Sequence, residues 1–211
     1  MKLDSVNSAP DIAAEQARYD ALRTANYALL GSLLARPPAA ELLAELGGLE
    51  PEGAGDGKLD AAWRALAEAA RATDAQAIAE EYQELFIGLG RGELVPYGSW
   101  YLTGFLMEAP LDGLRDDLAR LGIARQEGIS EPEDHIGALC EVMSLLIADP
   151  ERATDYATQR TFYNTHMGPY LDRFWSDLDK AENARFYRAV SRLGAAFTEL
   201  ETKYFSLPEQ G

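Results

Sequence analysis

At 211 residues, 47% of them hydrophobic and 26% charged, the chain can bury one sizeable core and has no apolar run long enough to cross a bilayer. Its 35 acidic against 19 basic side chains leave a formal net charge of −16. Such a charge repels nucleic acid and anionic membranes over a Debye length of about 8 Å and favours a basic partner, besides keeping the chain soluble. Two histidines and one cysteine exclude zinc sites of the Cys or His kind by count, and Cys140 has no second cysteine to pair with, which suits a reducing compartment.

The start, MKLDSVNSAPD, shows no apolar stretch or cleavage pattern of an export signal, so a cytoplasmic protein is expected. Residues 1–7 read as a loose tail and 8–207 as one domain. Ser8 and Pro10 offer a cap and a first-turn proline for a long helix, whose stripe Tyr19, Leu22, Asn26, Leu29, Leu30, Leu33 and Leu34 ends at Pro37 and Pro38. A short helix holds Leu42, Leu43 and Leu46. The glycine- and acid-rich run 47–57 is expected to be a mobile loop. Leu59–Arg71 is a helix with Trp63 and Leu66 spaced for burial, and another runs from Asp74 into Phe86.

Regular patterning stops in EYQELFIGLGRGELVPYGSWYLTGF, residues 81–105, where aromatic residues crowd together. Tyr82, Leu85 and Phe86 share a helical face. Gly88, Gly90, Gly92, Pro96 and Gly98 predict irregular backbone over 88–98, after which Ser99 is placed to cap a short helix carrying Trp100, Tyr101, Leu102 and Phe105. Leu111, Leu114, Leu118 and Leu121 form an amphipathic helix closed by Gly122. Residues 122–130 lack periodicity and are where a domain swap would hinge. Glu131-Pro132-Glu133-Asp134-His135 is expected to open a helix that buries Ile136, Leu139, Met143 and Leu146 or Ile147, its carboxylates facing the positive end of the helix dipole. A helix over 151–179 places Phe162, His166, Tyr170, Phe174 and Leu178 four apart, with a break at Pro169; the last carries Phe186, Val190, Leu193, Phe197, Leu200 and Tyr204. No segment alternates with period two, so the fold is expected to be all-α, a single-domain multi-helix bundle.

Catalytic chemistry has little to stand on. Glu131 and His135 are four apart and His166 has no acid three residues before it, so the paired Glu-x-x-His units of a di-iron bundle are missing. A carboxylate-only Mg²⁺ or Ca²⁺ site stays open by count. GLGRGE lacks the Gly-Lys-Ser/Thr ending and preceding strand of a phosphate loop, and Ser99 lies in no Gly-x-Ser-x-Gly elbow. No cofactor is expected. Two alternatives remain on residues alone: a small-molecule or nucleotide-dependent enzyme using the glycine loop, and an acidic all-α adaptor for a folded basic protein.

Three segments in order, EYQELFIGLGRGELVPYGSWY, EPEDHIGALCEVM and FYNTHMGPYLDRF, resemble the TorD/DmsD/NarJ family of chaperones that mature molybdenum-containing redox enzymes. The resemblance implies a non-enzymatic, cytoplasmic chaperone that binds the twin-arginine signal peptide, and the body, of an apo-molybdoenzyme catalytic subunit of the dimethyl sulfoxide or trimethylamine N-oxide reductase or formate dehydrogenase type, until its cofactor is inserted. It implies no nucleic-acid partner and no direct membrane insertion, a monomer or domain-swapped homodimer, and for some members guanine nucleotide. Matched by position, the binding residues are Tyr82, Leu85, Phe86, Pro96, Tyr97, Ser99, Tyr101, Glu131, Pro132, Asp134, His135 and His166. The chain departs from the family pattern at Gly88-Leu89, where Gly-Pro is frequent, and at Tyr170, where Trp is frequent. A guanidinium pair followed by an apolar stretch needs carboxylates beside an apolar groove; Glu131 and Asp134 are expected to supply the first, and Leu85, Phe86, Tyr97 and Tyr101 the second.

Overall fold

The helical spacing produces helices and nothing else regular in the computed structural model, which describes residues 9–50, 57–88, 92–125, 131–148 and 155–207. In chain order these are α1 (Ala9–Ala35), α2 (Ala40–Gly48), α3 (Lys58–Arg71), α4 (Ala75–Tyr82), a π-helical turn (Gln83–Ile87), α5 (Gly98–Thr103), α6 (Ala109–Arg120), α7 (Ile136–Ala148), α8 (Tyr156–His166), α9 (Leu171–Lys180) and α10 (Phe186–Ser206). Among the described residues there is no strand, only an isolated antiparallel bridge between Tyr97 and His135. The tail 1–7, the expected cap Ser8, residues 51–56 of the 47–57 segment and residues 126–130 of the 122–130 segment lie outside the described residues. Gly47 and Gly48 finish α2 instead of opening a loop, and Gly122, at φ +68°, closes α6 as its position predicts.

The core sits where α1 crosses α7 and where α10 packs on α3 and α9. At the first crossing the backbones touch: a Cβ on Gly31 would stand 3.0 Å from the Gly137 carbonyl, and one on Gly137 would stand 3.1 Å from that of Gly31. α1 ends at Pro37 and Pro38, which leaves carbonyls with no helical partner. Two tyrosines from elsewhere supply donors, Tyr187 Oη to Leu33 O at 2.8 Å and Tyr82 Oη to Leu34 O at 3.0 Å.

Two helices depart from expectation for reasons of side-chain chemistry. Leu22 is exposed, because beside the expected Asn26 the buried stripe of α1 runs through Arg23 and Tyr27. Arg23 Nε and Nη2 donate to both oxygens of Glu201 on α10 at 2.8 and 2.9 Å, Arg23 Nη1 donates to Gln159 on α8, and Tyr27 Oη donates to Glu201. Burial opposes the charge of Arg23, but the Glu201 carboxylate outweighs it and holds the guanidinium pKa above its ordinary value. α7 begins at Ile136, so residues 131–135 form turns and the bridge, not the helix's first turn. The helical stretch expected over 151–179 does break around Pro169, as its position predicts: Asp155 caps α8 through Thr158 N, and residues 167–170 separate α8 from α9.

Candidate functional site

The bridge between Tyr97 and His135 joins the loop before α5 to the loop before α7. Ile136 N donates to Pro96 O and Gly98 N donates to Asp134 O, both at 2.9 Å. This brings the acidic segment against the proline–serine–aromatic segment, two of the three stretches singled out in the sequence. Gly98 is needed at the junction, since a Cβ there would stand 2.8 Å from the Tyr170 hydroxyl oxygen. Ser99 does not cap α5. Tyr97 is the N-cap residue, and the free donor of Ser99 N is met by Asp134 Oδ2 at 2.8 Å.

The three carboxylates of EPED have different fates. Glu131 is exposed and accepts the Tyr97 hydroxyl. Glu133 is held by Arg115 at 3.0 Å, with Arg125 3.9 Å away. Asp134 is only 4% exposed, and its Oδ1 is buried without a hydrogen-bond partner. An orphan carboxylate oxygen is costly, because its desolvation is not repaid.

Asp134 lies on a cavity of about 270 Å³ between α5, α6 and α8. Buried Ser99, Leu114, Leu139, His166 and Tyr170 share its wall, while exposed Leu102, Gly113 and Thr165 stand at its mouth. Among the described residues no lysine or arginine lines it. At about 30 Å³ per water the space holds roughly nine waters, or one long side chain with a few of them. His166 Nε2 lies 2.6 Å from Asp117 Oδ2 on α6, so a second carboxylate stands behind the cavity.

Of the twelve expected residues, Ser99, Asp134 and His166 meet at this cavity, and Tyr97, Glu131, Pro132 and His135 gather around the bridge. Of the four side chains assigned to the apolar groove, Phe86 and Tyr97 are half-buried and two are buried. Leu85 is fully buried in the core, Tyr101 is buried against Tyr170 and Phe174, and Pro96 is buried as well. Tyr82 and Phe86 are half-buried and pack on Tyr187. Burial and the charge of Glu131 push the Tyr82 phenol up to about 12. The π turn has the geometric effect of turning Leu85 inward and leaving Ile87 exposed. The short helix expected to carry Leu102 and Phe105 ends at Thr103, and Leu102, Phe105, Leu106 and Met107 are all exposed. The signal for that exposure was present: an apolar run straddling Gly104, which ends α5 at φ +83° and so throws the following residues out of any helical stripe.

His135 is buried, and burial lowers its pKa to about 4, against a smaller opposing effect of Asp134. Its Nδ1 accepts from Gly137 N at 3.1 Å, so the ring is neutral near pH 7 with its proton on Nε2. Because the folded pKa is depressed, the unfolded chain binds the proton first as pH falls. Stability from this group is full above about pH 6.5 and is lost progressively down to about pH 4. Urea unfolding at pH 7.5 and pH 5 is expected to show a loss roughly 2 kcal/mol larger for the native chain than for His135→Asn, which keeps an acceptor but does not titrate. Equal losses would show that the ring is solvated.

Among the described residues no group of three or more His, Cys, Asp or Glu side chains is placed to hold a metal ion, and no helix is long and apolar enough to cross a membrane. This all-helical chain belongs to the nitrate reductase delta subunit family, whose model matches residues 52–176, within the TorD-like group to which the three motif segments pointed. Chaperone protein TorD of Aliivibrio fischeri is 26% identical over 138 residues, covering 61% of this chain and 64% of that protein. The probable Tat proofreading chaperone DmsD of Haemophilus influenzae is 36% identical over 120 residues, 56% of this chain and 57% of its own. TorD of Vibrio cholerae is 26% identical over 175 residues, 79% and 80% of the two chains. The chain thus spans just under two thirds of the length of the first of these relatives, and all three are named as chaperones, not as enzymes. In fold it is similar to a putative redox enzyme maturation protein from Archaeoglobus fulgidus, with a TM-score of 0.54 at 18% identity over 94% of this chain and 98% of that one.

Proposed function

We propose that this protein is a cytoplasmic maturation chaperone that holds the twin-arginine signal peptide of an apo-molybdoenzyme subunit until the cofactor is in place. The observation that carries this reading is the unpaired Oδ1 of Asp134, beside a cavity that no described lysine or arginine lines, in a chain of net charge −16. A guanidinium offers donors in a planar fork that suits a carboxylate, and each charge-assisted hydrogen bond contributes roughly 1.5–3 kcal/mol where water is excluded. Glu133 already has arginines of its own and Glu131 is exposed to water, so Asp134 is the acid of the three with a buried oxygen left unmet. The chaperone names of the relatives support the class; the peptide and the client are this proposal's own step.

Calorimetry with a synthetic twin-arginine leader tests it. Asp134→Asn keeps an oxygen for Ser99 N but loses the charge, so binding is expected to weaken roughly 10- to 100-fold while stability falls by no more than about 1 kcal/mol. Equal affinity for a leader scrambled in both its arginine and apolar parts would refute the proposal. So would unchanged binding by Asp134→Asn in a protein whose melting temperature has dropped, because the acid would then be architectural.

A further inference from the structure

Four exposed apolar side chains follow one another at the end of α5: Leu102 at 43%, Phe105 at 68%, Leu106 at 47% and Met107 at 71% exposure. Scattered single apolar residues on a surface need no explanation, but a contiguous group is a mark of an interaction surface. The backbone beneath them is held in place. Gly104 is at φ +83° and Met107, which has a Cβ, is at φ +58°. An unbranched residue kept in the left-handed region costs free energy and persists only where its surroundings fix it. Here Met107 N donates to Ser99 Oγ at 3.3 Å, Thr103 Oγ1 accepts from Phe105 N at 3.1 Å, and Ser99 N is bound to Asp134. The apolar run is therefore tied, through a single serine, to the acid of the cavity.

Leu102 belongs to both features, standing at the mouth of the cavity and at the start of the run. We infer that Leu102, Phe105, Leu106 and Met107 form a lip that receives the apolar stretch of the signal peptide whose arginine reaches Asp134, in place of the buried Leu85 and Tyr101. This inference rests on the proposed function and gives the bound peptide a direction, with its cationic end in the cavity and its apolar residues running outward over Leu102. Charge selects this occupant over two others. A second copy of the chain brings another −16 to the contact and an anionic membrane brings its own negative surface, so both are repelled, whereas a leader that is basic before it is apolar is attracted.

The test compares two synthetic peptides by fluorescence anisotropy: a twin-arginine leader, and the same leader with its apolar residues changed to serine and asparagine. The variant is Phe105→Ser/Met107→Asn; both side chains are largely in solvent and asparagine tolerates positive φ, so its melting temperature is expected to stay within a few degrees of the native one. The variant is expected to weaken the full leader at least 10-fold and to leave binding of the polar-stretch peptide unchanged. Equal weakening of both peptides, or of neither while Asp134→Asn still weakens both, overturns the lip and leaves the proposed function standing. A native chain that binds neither peptide overturns the proposed function itself. A dimer seen by sedimentation that the variant converts to monomer, with leader affinity unaltered, overturns the lip in favour of a second copy.

Discussion

Replacing Glu201 with alanine is expected to lower the unfolding free energy by about 3–5 kcal/mol, the cost of leaving a buried cation without its buried partner. Arg23 is 2% exposed and Glu201 is fully buried, so water cannot take the place of the lost carboxylate. The guanidinium has further contacts, Gln159 Oε1 and Asp20 Oδ1 each at 3.0 Å and the Tyr204 ring 4.4 Å from its central carbon; Asp20 is a second carboxylate, but it is part exposed and screened by water, so it offsets the charge less than the buried, doubly bonded Glu201. Tyr27 Oη, 2.9 Å from Glu201 Oε2, loses its acceptor as well. For a chain of this size the loss corresponds to a fall in melting temperature of roughly 6–20 °C. The double variant Arg23→Met/Glu201→Leu is expected to be more stable than either single one, because replacing both ions with apolar groups removes the desolvation cost together with the attraction. Urea midpoints at constant m value check both statements. A single-variant loss under about 1 kcal/mol would mean that water reaches the pair.

The second large effect is expected at Glu81. Its carboxylate leaves α4 and accepts from three successive backbone amides at the start of α10: Arg185 N at 2.8 Å, Phe186 N at 3.1 Å and Tyr187 N at 2.8 Å. No side chain of the helix's own N-cap residue does this work. Phe186 and Tyr187 are buried, so Glu81→Ala strands donors that solvent does not reach, and a loss of about 3 kcal/mol is expected. Glu81→Gln keeps an acceptor and loses the interaction of a negative charge with the helix dipole, for a loss of about 1 kcal/mol. Amide exchange at Phe186 and Tyr187 should rise with the alanine variant ahead of the rest of α10, which separates local fraying from global destabilisation. Alanine and glutamine variants of equal stability would show that the three hydrogen bonds contribute little.

Neither Arg23 with Glu201 nor Glu81 was legible in the sequence, and the reason is the same for both. Periodicity finds apolar faces, and a charged residue on such a face reads as solvent-exposed until its partner, 178 positions away for Arg23 and Glu201, is brought to it. The stripe of α10, Phe186, Val190, Leu193 and Phe197, was legible because apolar burial needs no particular partner. Leu22 was misplaced by the same logic, since it keeps the interval but sits on the edge that Arg23 and Tyr27 displace outward. At the candidate site the acidic segment and the serine loop were identified from the sequence, and their meeting at the cavity was not, because it depends on a two-residue bridge with no pattern of its own. The start of α7 was set five residues early: proline and carboxylates do suit a first turn, but here Pro132 O accepts from His135 N in a separate turn that delivers Asp134 sideways to Ser99.

The pairing of α1 with α7 also bears on how the chain is made. α1 is complete at Ala35, but the helix that covers it ends at Ala148 and the carboxylate that neutralises Arg23 comes later still. At roughly 5–20 residues per second a ribosome takes of the order of ten seconds to supply that cover. Throughout that interval Tyr27, Leu30, Leu33 and Leu34 emerge with no docking surface yet synthesised. Translational pausing between those two helices therefore lengthens the period in which the nascent amphipathic segment is open to aggregation or proteolysis.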